Sequence, residues 1–133
     1  MTPEQQTLVE RSFAKVVPIA DVAATLFYDE LFHRDPALRS LFKPDMTEQR
    51  QKLMAMLATA VSNLREWEKI APAVQALGRR HVGYGVKPID YQTVGAALIA
   101  TLEKGLGEDF TPTVRAAWLA CIQKVAGEML TTY

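Results

Sequence analysis

The sequence has almost no sulfur chemistry to offer: one cysteine, Cys121, stands in 133 residues. A lone cysteine excludes an intrachain disulfide and a cysteine-only metal cage. A reducing compartment is the simplest setting for it. Neither sign of charge is in excess, because fifteen basic and fifteen acidic residues cancel. Nucleic-acid binders usually carry a basic surplus, so no nucleic-acid partner is expected. No apolar run approaches the ~18 uncharged residues that span a bilayer, so no membrane partner is expected either. The first residues, Met1-Thr2-Pro3-Glu4-Gln5-Gln6, are polar and lack the apolar core of a secretion signal. Strict apolar–polar alternation is missing, and so are Asn-Gly and Asp-Gly hairpin turns. There is no internal repeat and no low-complexity tract. The expectation is one cytoplasmic, all-α domain over residues 1–133, a length that buries roughly 65–70% of the unfolded chain's surface.

What is present is a succession of helix signals. Thr2-Pro3-Glu4-Gln5 combines a capping threonine, a proline at the first helical position and a glutamine at the third. Val9, Phe13, Val16 and Val17 then form one apolar stripe, which Pro18 interrupts. Ala24, Phe27, Tyr28, Leu31 and Phe32 predict a second helix from about Ile19 to His33. Asp35-Pro36 opens a short helix to about Phe42, and Lys43-Pro44 closes it. Asp45-Met46-Thr47-Glu48 reads as a second capping box. Gln49, Leu53, Leu57, Ala60, Val61 and Leu64 lie along one side of the helix that follows it. A shorter helix is expected from about Lys69 to Val82, then a loop marked by Gly83, Gly85 and Pro88. Val94, Ala97, Leu98, Thr101 and Leu102 give the next stripe, ended by Gly105 and Gly107. Thr111-Pro112 caps a last helix whose stripe runs from Val114 through Trp118 and Cys121 to Met129, with Cys121 as plain core. The sum is six or seven helices with short connections.

One residue stands out chemically. His81 continues the stripe Val74, Leu77, Gly78, His81, Val82, so it points inward while Arg79 and Arg80 turn away. An inward imidazole needs a partner, since an unpaired buried polar group costs roughly 1–3 kcal/mol. Two partners suit it: a carbonyl or hydroxyl of the core, or a metal. Bare zinc takes three or four ligands. The only other histidine is His33, on a different helix. A haem asks the protein for a single ligand, because the porphyrin supplies four nitrogens. Around His81 the sequence offers Phe27, Tyr28, Phe42, Gln49, Leu53, Tyr91 and Val94. Each has a plain alternative: the apolar ones as core, Tyr28 on a carbonyl, Gln49 in solvent.

Taken together these pieces resemble the globin family, most closely the single-domain bacterial haemoglobins and the globin domain of flavohaemoglobins. The similarity is carried by Leu26-Phe27-Tyr28-Asp29-Glu30-Leu31-Phe32, Leu41-Phe42, Gln49-Arg50-Gln51-Lys52-Leu53-Met54, Leu77-Gly78-Arg79-Arg80-His81, Tyr91-Gln92-Thr93-Val94-Gly95 and Ala117-Trp118. It implies a globin fold around one haem b, with His81 as the proximal iron ligand. It implies that Phe42 wedges against the porphyrin and that Tyr28 and Gln49 are the distal donors, the two residues closest to the chemistry. Leu53 would cover the ligand pocket, Tyr91 would stand near the histidine, and Val94 and Phe27 would pack on the haem. Leu57 and Leu77, on the stripes of Gln49 and His81, complete the expected haem-lining set. Arg80, with Arg79, is a candidate for the propionates; Lys43 and Arg50 are weaker ones. The implied ligands are dioxygen and nitric oxide, with tight binding and slow release, and with nitric oxide dioxygenation if an external reductase serves it.

Two departures limit the resemblance. Residues 1–133 contain no counterpart of the flavin- and nicotinamide-binding domains of flavohaemoglobins and no Gly-x-Gly-x-x-Gly fingerprint. Flavohaemoglobins also place a glutamate in the last helix beside the proximal histidine. Counted from Ala117-Trp118 that place falls near Tyr133, and the nearest acid, Glu128, stands more than a turn earlier. Competing readings are a haem-based gas sensor and a haem-free helical interaction module. A peroxidase is disfavoured, because no second histidine is placed for distal acid–base work.

Overall fold

The computed structural model describes every residue from Met1 to Tyr133. It contains six α-helices and no strand: α1 (Pro3–Val16), α2 (Ala20–Arg34), α3 (Thr47–Ser62), α4 (Ala71–Tyr84), α5 (Asp90–Leu106) and α6 (Pro112–Leu130). Four 3-10 segments join them, at Val17–Ile19, Pro36–Leu41, Leu64–Lys69 and Gly107–Asp109.

Most helix ends fall where the sequence expects them. Thr2 Oγ1 accepts from the Gln5 amide at 3.1 Å and the Gln5 side chain accepts from the Thr2 amide at 3.0 Å, a complete capping box. Thr111 caps α6 by accepting from the Val114 amide. Other ends differ. The Asp45–Glu48 box does not form. Asp45 instead accepts from the amide of Thr47, two residues on, so α3 begins at Thr47, and Glu48 pairs with Lys52 on the exposed face. The short third helix is 3-10 and stops at Leu41, leaving Phe42 in extended backbone. Helix α4 starts two residues later than expected and runs through Gly83 to Tyr84. Gly85, at φ +88°, ends it, a left-handed conformation natural to glycine. Gly105 likewise lies inside α5, and Gly107 ends it. Two stripe members are outside the core: Val17, because the chain turns at Pro18, and Val82, on the outer side of α4.

The apolar stripes meet in two clusters. The larger one gathers Val9, Phe13 and Val16 of α1 with Leu102, Ala117, Trp118 and Cys121, among others, from α5 and α6. Its one buried indole is satisfied: Trp118 Nε1 donates to Ser12 Oγ at 2.8 Å. The smaller one holds Phe27, Tyr28, Leu31, Leu38, Met46 and Ala97, with Phe32, Phe42, Leu53, Val94 and Leu98 against it. Helix α2 packs on α5 and α3, α1 packs on α6, and α4 packs on α6 and the Leu64–Lys69 turn. No packed interface joins α3 to α4. Helix α3 brings Leu53 against the smaller cluster, and α4 carries His81.

Candidate functional site

On the α4 side, His81 is half-buried and its Nδ1 lies 2.8 Å from the carbonyl oxygen of Leu77, one turn earlier. A carbonyl only accepts, so Nδ1 carries the proton and donates. The neutral ring then has its lone pair on Nε2, and no group of the protein takes it. Burial, above all, pushes the imidazole pKa below its ordinary value; the Leu77 hydrogen bond opposes this and the Arg80 charge adds to it. The ring is thus held neutral, oriented and with one free nitrogen. Of the partners that the sequence left open, the carbonyl is present at one nitrogen, and the other nitrogen has no partner in the protein.

Gly78 determines where this helix sits. A Cβ there would come within 2.5 Å of the Met129 carbonyl oxygen and 2.8 Å of Thr132 Oγ1. Only glycine lets α4 approach the end of α6 this closely. Arg79 and Arg80 point to solvent and pair with no acid of the protein.

In the smaller cluster, Tyr28 of α2 is 6% exposed and its hydroxyl oxygen accepts from Gln49 Nε2 of α3 at 3.1 Å. Burial raises the Tyr28 pKa and the Gln49 bond opposes the rise, so the phenol keeps its proton. That proton is committed to no acceptor of the protein. Phe27 meets Tyr28 edge-on at 4.8 Å between ring centroids, and Phe42 does so at 5.6 Å. Leu53 and Val94 close the same cluster.

Two residues of this arrangement escaped the sequence reading as site residues. Phe32 stacks edge-on against Phe42 at 5.5 Å, and Arg39 lies over Phe32 at 5.3 Å. Arg39 also donates to the carbonyls of Lys43 and Pro44, at 3.0 Å each. It ties down the turn that presents Phe42, a task that leaves no periodic mark in sequence. Leu57 sits elsewhere than the other lining candidates. It packs on the larger cluster and, with Leu53, borders an apolar cavity of about 30 Å³. The remaining candidates, Tyr91 and Leu77, accompany His81. The Tyr91 ring centroid is 6.4 Å from that of His81, and its hydroxyl lies 3.1 Å from that of Tyr133. Burial is the main cause of a raised Tyr91 pKa, and Tyr133 adds to it. Glu128 is engaged away from His81, accepting from Trp67 Nε1 and Gln75 Nε2.

The donor set decides which metal group fits. No cluster of three or more His, Cys, Asp or Glu side chains comes together anywhere in the chain. One oriented imidazole with a free Nε2 suits a metal that brings its own equatorial ligands. Haem meets that description. No helix is long and apolar enough to cross a membrane.

Comparison with known proteins agrees. The sequence profile of the family described as Globin matches residues 25–129. A neuroglobin of Tetraodon nigroviridis is 30% identical over 118 residues, 78% of this chain and 74% of that protein. A flavohemoprotein of Bacillus subtilis is 32% identical over 97 residues, 69% of this chain but 24% of its own length. A flavohemoprotein of Bordetella parapertussis is 27% identical over 129 residues, covering 95% of this chain and 32% of that protein. This chain therefore spans about a quarter to a third of the flavohemoproteins it matches. Among solved structures, an engineered carbene transferase from Rhodothermus marinus, nominally a nitric oxide dioxygenase, superposes with a TM-score of 0.88. It covers 98% of this chain and 92% of its own, at 24% identity, which speaks for the fold. By profile, by relatives and by architecture, this chain belongs to the globin family, and haem is the cofactor that membership implies.

Proposed function

We propose that residues 1–133 form a single globin domain that binds haem b through Nε2 of His81 and takes up dioxygen, or nitric oxide, with Tyr28 and Gln49 as the donors that meet it. The observation that carries the reading is the state of His81: neutral, bonded through Nδ1 to the Leu77 carbonyl, with Nε2 free. Haem held by His81 would supply an iron that takes up a diatomic gas, and Tyr28 and Gln49 would meet the negative charge that gathers on that gas. The residues of the chain do the rest. Phe27, Phe42, Leu53 and Val94 keep water out, Leu57 and Leu77 back them, and Tyr91 borders the His81 ring. Arg80 is the proposed partner of a propionate, as arginine suits carboxylates.

The Tyr28 hydroxyl has a free proton because Gln49 occupies its oxygen. A donor aimed at negative charge in a water-poor site is worth roughly 1.5–3 kcal/mol, about tenfold to more than a hundredfold in affinity. The gain appears mainly as slow release, which suits retention or chemistry better than delivery. Oxidation of nitric oxide by held dioxygen to nitrate takes up one electron per turnover. The proposed activity accordingly depends on an external reductase, and the cytoplasm is the proposed setting.

The test is a pair of substitutions read by absorbance and by oxygen release. His81→Ala is expected to lose the wild-type haem content or its ferrous axial-ligand spectrum. Tyr28→Phe is expected to keep the pigment and release dioxygen faster, by about tenfold or more. Full pigment and a native ferrous spectrum in His81→Ala would refute the ligand. An unchanged release rate in Tyr28→Phe would refute the role of its hydroxyl.

A further inference from the structure

Two aromatic routes lead away from His81. One is Tyr84, whose ring centroid is 6.0 Å from the imidazole and which is 61% exposed. It stands alone, with no hydrogen bond from its hydroxyl to the protein. The other is a pair. Tyr91 lies 6.4 Å from the imidazole and is half-buried. Tyr133 meets it edge-on at 5.6 Å, with the two hydroxyl oxygens 3.1 Å apart, and is 42% exposed. Nothing in the gas-binding reading uses this contact.

We propose that Tyr91 and Tyr133 form a redox relay, which carries oxidising equivalents produced by hydrogen peroxide at the group held by His81 to the protein surface. The inference rests on the haem reading above, but it concerns a different oxidant and a different face of the site.

The chemistry follows from the phenol. A tyrosine gives up an electron readily only if its proton leaves too, because the oxidised phenol is a strong acid. Tyr91 is half-buried, and its proton leaves fastest to an acceptor already within hydrogen-bond reach. The Tyr133 oxygen at 3.1 Å is within that reach. A phenol oxygen both donates and accepts, so Tyr133 takes that proton while its own passes to solvent. Exchange of one hydrogen atom along the same O–H···O contact then moves the radical from Tyr91 to Tyr133. Reduction of one hydrogen peroxide to two waters takes up two electrons and two protons. Two tyrosine hydroxyls supply them in two one-electron steps, each leaving a neutral phenoxyl radical. Exposed Tyr133 radicals on two chains join through a carbon–carbon bond. The product is a dityrosine-linked dimer, and no further oxidant is consumed. The relay thereby disposes of oxidising equivalents that would otherwise attack the haem and its apolar lining.

The experiment treats the haem-loaded ferric protein with hydrogen peroxide. It reads tyrosyl radicals by rapid-freeze electron paramagnetic resonance, and covalent dimers by denaturing gel and peptide mass spectrometry. Wild type is expected to give a tyrosyl radical and dimers linked at Tyr133. Tyr133→Phe should lose the dimers almost completely and give less radical on Tyr91, whose proton has lost its acceptor. Tyr91→Phe should lose the radical at Tyr133 and the dimers together, and Tyr84→Phe should match wild type. Absence of a tyrosyl radical, undiminished dimers in Tyr133→Phe or Tyr91→Phe, or a cross-link mapped to Tyr84 would each overturn the relay. Any of these in a protein with native absorption and native oxygen release leaves the haem reading standing. A protein that takes up no haem overturns both.

Discussion

A single proton separates a structural histidine from a metal ligand. In this chain the Leu77 carbonyl holds that proton on Nδ1, and burial keeps a second one from Nε2. The consequence for stability has a definite sign. Unfolded His81 titrates near its ordinary value of 6.5, whereas the folded residue titrates lower. Between the two values the unfolded state binds more protons, so stability rises with pH across that window. The haem-free protein is expected to lose stability as pH falls below about 6.5, and His81→Gln should flatten that part of the profile. Urea midpoints at a series of pH values would check it; an identical slope in both proteins would mean that other groups carry the acid sensitivity. The periodicity of Val74, Leu77, Gly78 and His81 made the inward direction of the imidazole legible in sequence. Which nitrogen it would leave free was not, because a helical carbonyl one turn earlier is available to any residue and only geometry selects it. Tyr28 and Gln49 were legible as candidates, and their 3.1 Å contact joins positions on two helices.

At the scale of elements, capping chemistry sometimes yields to tertiary packing and sometimes does not. Thr2 and Thr111 cap as their neighbours dictate, because nothing else competes for those amides. Asp45 satisfies the Thr47 amide instead, and the turn before α3 is held by Arg39 from the preceding segment. Gly83 and Gly105 look like helix ends in sequence but lie inside helices. Glycine permits a left-handed ending without requiring one, and the positive φ falls two residues later in each case. Gly78 is the glycine whose lack of a side chain matters most. Alanine in an open helix interior is favoured by about 1 kcal/mol over glycine. Here its methyl would lie 2.5 Å from the Met129 carbonyl oxygen, so overpacking, typically about 1–3 kcal/mol, decides the sign. Gly78→Ala is expected to destabilise the protein by a net amount of up to ~2 kcal/mol and to weaken haem retention, since α4 carries His81. Chemical denaturation measures the first effect and haem transfer to a competing apoglobin the second. A more stable variant would show that α6 yields at this contact.

Across the whole molecule, α4 is the α-helix that packs on the fewest elements. It rests on α6 and the Leu64–Lys69 turn, while α1 packs on α3, α5 and α6. Regions with few packed neighbours open most easily, and ligands that bind only the closed form suppress that opening. Without haem, the amides of Ala71–Tyr84 are expected to exchange with solvent faster than those of α1 and α6. Haem at a hundredfold excess over its dissociation constant stabilises the closed state by about 2.7 kcal/mol, so α4 should gain the most protection. Hydrogen-exchange mass spectrometry with and without haem reads this directly. Equal protection of α4 and α1 in both states would contradict the arrangement. The same scale explains the exposed apolar residues Val82, Tyr84 and Ile89, which lie on α4 and the loop that follows it.

The amino-acid order by itself determined the helix count, the stripes and the inward histidine, because helical periodicity and capping are local physics. It also carried the family likeness, which the globin profile over residues 25–129 bears out. What only the tertiary structure decided is relational. It decided that α3 and α4 stand apart, that Gln49 donates to Tyr28, that Arg39 steadies the turn of Phe42, and that Tyr133 reaches Tyr91. Each of these pairs atoms from different segments, and local periodicity says which way a side chain faces without saying what it will meet.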